Sequence, residues 1–135
     1  MQATAEVASV SKKSLWAGRI LSGLVVLVFV FTAALGMLNP AAAAQGFAHY
    51  GYPPGSMVPI AVVDWACVLL YAIPRTSVLG AILLTGYLGG AISTHVRAGE
   101  PFFLPLGVGV IVWLGLFLRD ARLRALVPLR SPAAR

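Results

Sequence analysis

The sequence predicts an all-α integral membrane protein, an antiparallel bundle of four transmembrane helices, and three observations carry that prediction. Of 135 residues, 59% are hydrophobic and only 10% charged, far below the roughly one-quarter charged content of soluble domains. The apolar residues gather in four runs separated by Pro, Gly or charged residues. Nine of the ten Lys and Arg residues fall in the N-terminal segment, at Arg75 or in the C-terminal tail, leaving Arg97 alone on the other side. That is the charge pattern that flanks membrane spans.

The same distribution excludes other classes. A net charge of +6 would suit nucleic acid only if the basic residues formed a stripe with interleaved aromatics, and they do not. Cys67 is the single cysteine, so an internal disulfide and Cys-x-x-Cys chemistry are both ruled out.

Residues 1–15, with Lys12 and Lys13, form a polar cytoplasmic leader. The transmembrane domain, 16–118, opens with a span over about 16–38: Ile20 to Leu38 are 19 apolar or small residues, with Trp16 and Arg19 placed for the interface. A cleavable signal is the rival reading of this stretch because Ala41–Ala44 and Gln45 follow it, but signal apolar regions run to only about 7–15 residues. Residues 39–55 read as a loop from Gly46, Gly51, Pro53, Pro54 and Gly55. Its aromatics serve as an interfacial belt or, more sharply, a ligand lid.

The second span, about 56–73, tolerates Pro59 in its first turn and is interrupted once, by Asp64. The third, about 76–96, holds 21 residues without Asp, Glu, Lys or Arg, enough at ~1.5 Å each to cross a core of ~30 Å. Gly86, Gly90 and Ser93 recur at helical spacing and are expected to form a close helix-packing face, or a face where copies of the chain associate as a homo-oligomer. The fourth span covers about 102–118. A basic tail, 119–135, with Arg119, Arg122, Arg124 and Arg130, reads as an anionic-lipid anchor. The charge split places both termini in the cytoplasm of a multi-pass plasma-membrane protein.

Asp64 is the ninth residue of its span, ~13 Å from the outer end and near the bilayer midplane. A carboxylate there costs on the order of 2.5–3.5 kcal/mol, so it must be paired, protonated or facing water. It serves either to fix helix register or, as we favour, a functional role. Counting from the turn at Arg75 puts Thr85, Gly86 and Tyr87 near its depth, with Cys67 and Tyr71 on its own face. His95 lies two turns or more further out and should face the first loop, near His49 and Tyr52, with Arg97 and Glu100 beside it. That outer group is either a rim sealing the bundle or a binding site. Asp64, Tyr87, His95 and Arg97 are thus the candidate ligand or proton sites. No metal-ligand spacing, nucleophile–base pair or phosphate loop is present, and no catalytic residue is assigned.

Pro74-Arg75-Thr76, Leu79-Gly80-Ala81, Gly86-Tyr87-Leu88-Gly89-Gly90-Ala91, His95-Val96-Arg97 and Trp113-Leu114-Gly115-Leu116-Phe117-Leu118-Arg119-Asp120 resemble the DoxX-like family of small bacterial membrane proteins. The resemblance spans about residues 47–130, and it departs at Asp64, where the family is associated with Glu. It implies four transmembrane helices and a link to redox systems, since the namesake is a subunit of a thiosulfate:quinone oxidoreductase. The leading reading is an accessory or quinone-proximal subunit of a membrane redox system, with quinone as the ligand and a membrane or soluble oxidoreductase as partner. The alternatives are a non-catalytic scaffold that recruits a partner and a small proton-coupled transporter. The transporters it would resemble carry their acid in the first helix, and the first span here has none.

Overall fold

Ser11 starts the first helix: its side-chain oxygen accepts the N–H of Ser14 at 3.3 Å, filling one of the donors a helix start leaves open. In the computed structural model, which describes residues 9–126, α1 therefore runs Lys12–Leu38, beginning inside the stretch read as leader. Residues 1–8 and the end of the basic tail, Arg130 included, lie outside the described residues.

Asn39 then acts twice. Its N–H bonds to Leu35 O at 3.0 Å, closing α1, and its side chain accepts the N–H of Ala42 at 3.1 Å. With Pro40 at the first helical position, where no N–H is needed, a second helix α2 forms over Pro40–His49. The loop expected over 39–55 is corrected here. A proline that ends one helix also suits the start of the next, and four successive alanines favour propagation. The true break comes at Gly51 and Gly55, both at positive φ (78° and 89°).

Helix α3 covers Met57–Ala72, α4 Ser77–Ala98 and α5 Phe103–Arg119, each within two residues of the segment expected. The α3–α4 turn is closed by Thr76 Oγ1 donating to Leu70 O at 2.8 Å. Gly99, at φ 73°, ends α4 with a left-handed residue, the usual glycine stop. Asp120 Oδ1 accepts the N–H of Arg122 at 2.9 Å and of Leu123 at 3.3 Å, turning the chain into the short α6, Ala121–Leu126.

The long helices pack in a ring: α1 on α5, α5 on α4, α4 on α3 and α3 back on α1, while α2 lies against α1 and α3. Val25, Phe29, Val68, Leu84, Leu88, Val112 and Leu116 fill the centre. The outside is apolar too. On α1 alone Ile20, Leu27, Phe31, Leu35 and Met37 are half or more exposed. Helices α1 and α4 are long and apolar enough to cross a membrane; α3 and α5 are apolar but shorter.

Tyr71 joins all four. Its fully buried hydroxyl lies 3.0 Å from both Ser22 Oγ on α1 and Val112 O on α5. One proton serves only one acceptor, so it goes to the carbonyl and Ser22 donates back. On its other side the Tyr71 backbone lies against Gly80 of α4, where any Cβ would overlap Tyr71 N and Cα. Gly18 and Gly115 allow a second close approach, between α1 and α5: a Cβ on Gly18 would sit 2.7 Å from Gly115 O.

The packing face expected at Gly86, Gly90 and Ser93 is corrected within this chain. A Cβ on Gly86 or Gly90 meets nothing within 4 Å, and all three residues are exposed. Helical spacing placed them on one face, but Gly86 and Gly90 open onto a groove; the close contact is made on the Gly80 side.

Gly80→Ala should therefore cost about 1–3 kcal/mol of stability, because backbone cannot move aside for the new methyl. Gly89→Ala, in open space, should be neutral or gain up to about 1 kcal/mol of helix propensity. Thermal unfolding of the two variants in detergent by circular dichroism separates these outcomes, and equal midpoints would contradict the assigned contact.

Candidate functional site

The polar side chains gather where α2 and the 50–56 loop meet the end of α4. Glu100 holds the cluster together: its Oε1 is 2.7 Å from His49 Nε2 and its Oε2 accepts the Tyr50 hydroxyl at 2.7 Å. Arg97 Nη2 donates to Tyr50 O at 3.0 Å, and Tyr52 meets Thr94 at 2.9 Å between hydroxyl oxygens. Thr94 gives its own proton to Gly90 O at 2.9 Å, so the Tyr52 hydroxyl is the donor in that pair. Three residues, His49, Tyr50 and Tyr52, are thus fastened to the last turns of α4 and to Glu100 just beyond it.

The expected outer group of His95, His49, Tyr52, Arg97 and Glu100 does come together, but its hub is Tyr50, which sequence reasoning left in the general aromatic cluster. His95 Nδ1 donates to Ala91 O at 2.8 Å, leaving the other ring nitrogen, 3.4 Å from the Tyr50 oxygen, as the acceptor of the neutral ring. Tyr50's only proton is on Glu100, so this nitrogen remains able to accept from a ligand. Arg97, a candidate ligand residue, holds the loop backbone instead.

Beneath the cluster lies a groove of about 590 Å³, walled by α3 and α4 and roofed by Ala43 and Phe47 of α2, with Gly86 and Gly90 as its floor. Tyr87 and His95 stand along it. A neighbouring cavity of about 500 Å³ shares Ala43, Phe47, Ile60 and Tyr87 with the groove and contains Asp64, Trp65 and Thr32. Tyr87 therefore borders both, packed edge-on to Phe29 with ring centres 6.0 Å apart.

Asp64 is only 8% exposed, and its Oδ1 has no hydrogen-bond partner among the described residues. It reaches the same cavity as Tyr87, as the depth count from Arg75 anticipates, and it shares no cavity wall with His95. Thr85, expected at the same depth, is turned to α5, where Trp113 Nε1 donates to it at 2.8 Å. An unpaired carboxyl facing an apolar cavity can receive or release a proton, or accept a donor from a ligand; it has no neighbour here that would fix it as a structural ion pair.

A helical ring with an apolar exterior, an unpaired acid within and a polar cap over a glycine-floored groove defines a small helical membrane-associated protein with a ligand-sized site. Residues 20–117 match the model of the DoxX-like family, and the chain belongs to that family. The match takes in α1, which the motif resemblance had left out. Comparison with curated proteins and with solved structures finds no match.

Two hydrogen bonds, from His49 and then Tyr50, hold the Glu100 carboxyl below the ordinary glutamate value of 4.5, and the same Glu100 bond raises the Tyr50 phenol. A carboxylate whose pKa is lowered by folding stabilises the fold above its unfolded value and loses that contribution as pH falls through the folded one. The attachment of the 49–52 segment should hold from neutral pH down to about 4.5 and loosen below it. Hydrogen exchange over residues 46–56 should rise in acid, and Glu100→Gln should show the raised exchange already at pH 7. No difference between pH 7 and pH 3.5 in the wild type would contradict the role given to Glu100.

Proposed function

We propose that this chain is a multi-pass plasma-membrane protein whose four long helices form an antiparallel transmembrane bundle with both termini cytoplasmic. We further propose that it acts as a quinone-proximal accessory subunit of a membrane redox system. The two helices of spanning length, α1 and α4, support the first part. Helices α3 and α5, 16 and 17 residues long, reach about 24–26 Å, and small local thinning of a ~30 Å core accommodates that difference. The direction of the contacts agrees: Ser14 bonds Leu118, and Gly18 meets Gly115 and Arg119.

The observation that carries the functional reading is the groove itself. Its volume of about 590 Å³ falls in the ~300–1,000 Å³ range of small-molecule sites, and its walls are apolar with few polar groups. A flat ring lies naturally on a floor without side chains, Gly86 and Gly90. The Tyr87 hydroxyl would donate to a quinone carbonyl, and the His95 ring nitrogen that does not face Ala91 O would accept from the hydroxyl of the reduced form. Membership of the DoxX-like family, whose namesake serves a quinone-linked oxidoreductase, points the same way.

Protein purified in mild detergent should carry quinone, read by organic extraction and oxidised-minus-reduced ultraviolet spectra, and should rebind it with quenching of intrinsic fluorescence. Gly90→Leu should fold normally, since its Cβ meets open space, and lose most of that binding because its side chain fills the groove. Absence of quinone in the wild type, with no quenching on addition, returns the protein to the scaffold reading. Proton-coupled efflux from vesicles would instead support the transporter reading.

Reporter fusions at the C-terminus and near Gln45 should report opposite sides of the membrane, the C-terminal one cytoplasmic. The same side for both would reject the four-span topology.

A further inference from the structure

At the end of the bundle opposite the tyrosine cluster, a cavity of about 630 Å³ is lined by three guanidinium-bearing residues, Arg19, Arg119 and Arg122, together with Pro74, Ser77 and Asp120. Arg119 is the unusual member. Its Nε and Nη2 are buried and have no hydrogen-bond partner among the described residues, while the guanidinium sits over the Tyr71 ring at 5.7 Å. Buried donors left without acceptors are costly; among the described residues the Tyr71 hydroxyl is a polar neighbour of this guanidinium, yet it forms no hydrogen bond with either nitrogen. Arg124 contrasts with it: its Nη2 donates to Leu118 O at 2.7 Å and its Nε to Phe117 O, so it is occupied in holding the end of α5.

We propose that this cavity is a binding site for a phosphate-bearing anion, with Arg119 as its anchor. A planar guanidinium with two buried, unpartnered nitrogens, on a residue that lines the cavity, matches a phosphate oxygen pair, the geometry that makes arginine the preferred phosphate ligand. Ser77, the first residue of the 22-residue α4, places the positive end of that helix at the same cavity. Arg19 and Arg122 are exposed and line the same cavity; Arg19 rests over the Trp16 ring at 5.8 Å, a surface contact that it can give up to close over the anion. Arg75 lines an adjoining cavity of about 480 Å³ that shares Pro74, Asp120 and Arg122. Asp120 opposes an anion, but its Oδ1 accepts the N–H groups of Arg122 and Leu123, and three arginines outweigh it. The phosphate can belong to an acidic lipid headgroup, its chains lying along the apolar helices, or to a free anion. No part of this site touches the quinone groove, so the two readings stand or fall separately.

The test uses the full chain in a neutral maltoside detergent, titrated with inorganic phosphate at constant ionic strength and, separately, with phosphatidylglycerol or phosphatidylcholine in mixed micelles. Binding is read by calorimetry and native mass spectrometry. Saturable binding of one phosphate group per chain is expected, and Arg119→Gln should weaken it about tenfold, as loss of a charge-assisted hydrogen-bond pair does. Lys13→Gln removes the same charge from the same end without touching the cavity and should change affinity less than about twofold. Preference for phosphatidylglycerol over phosphatidylcholine identifies the lipid headgroup as the source; saturable inorganic phosphate without that preference identifies a free anion. Should Arg119→Gln fail to fold, the Arg19→Gln/Arg122→Gln double variant at exposed positions should also weaken binding. The proposal is overturned if neither probe saturates, if Lys13→Gln weakens binding as much as the cavity variants, or if those variants bind like the wild type.

Discussion

The contact on which the rest of the structure depends is Tyr71. Its hydroxyl takes Ser22 of α1 and the Val112 carbonyl of α5, its backbone lies on Gly80 of α4, and its own helix is α3. Where the exterior is as apolar as the interior, burying hydrocarbon does little to distinguish one helix arrangement from another. Directional bonds and surfaces without side chains then decide which faces meet. A tyrosine bridging two helices and a glycine admitting the third fix the ring α1–α5–α4–α3 more sharply than the leucines and valines around them.

The polar residues left over sort to the two ends and one interior position, and each place has its own chemistry. At one end Tyr50, Glu100, Arg97 and the Tyr52–Thr94 pair fasten the α2 segment over the groove. At the other, arginines surround the α3–α4 turn, and Arg119 carries the Tyr71 junction on its guanidinium face. Between them Asp64 borders a cavity that shares Tyr87 with the groove. Glycines divide the labour along α4: Gly80 is used for contact, Gly86 and Gly90 for space. An anion on Arg119 would therefore bear on the same tyrosine that sets the helix ring, whereas a ligand in the groove would bear on α2.

The amino-acid sequence by itself determined that the chain is helical, where the long helices begin and end to within a few residues, which family it belongs to and the depth at which Asp64 lies along its helix. Those properties follow from local chemistry: apolar runs, capping side chains, a proline at a helix start, and a motif read in line. It also placed His95 with the first loop and Tyr87 at Asp64's depth, because rise per residue converts counting into distance along an axis. Only the tertiary structure decided which face of α4 is packed. Gly80, Gly86 and Gly90 offer the same absent side chain, and helix rotation alone chooses between contact and groove. The same holds for Tyr50 as hub and for Arg119 over the Tyr71 ring, since the residues they meet lie 45 or more positions away in the chain, a relation that no local spacing encodes.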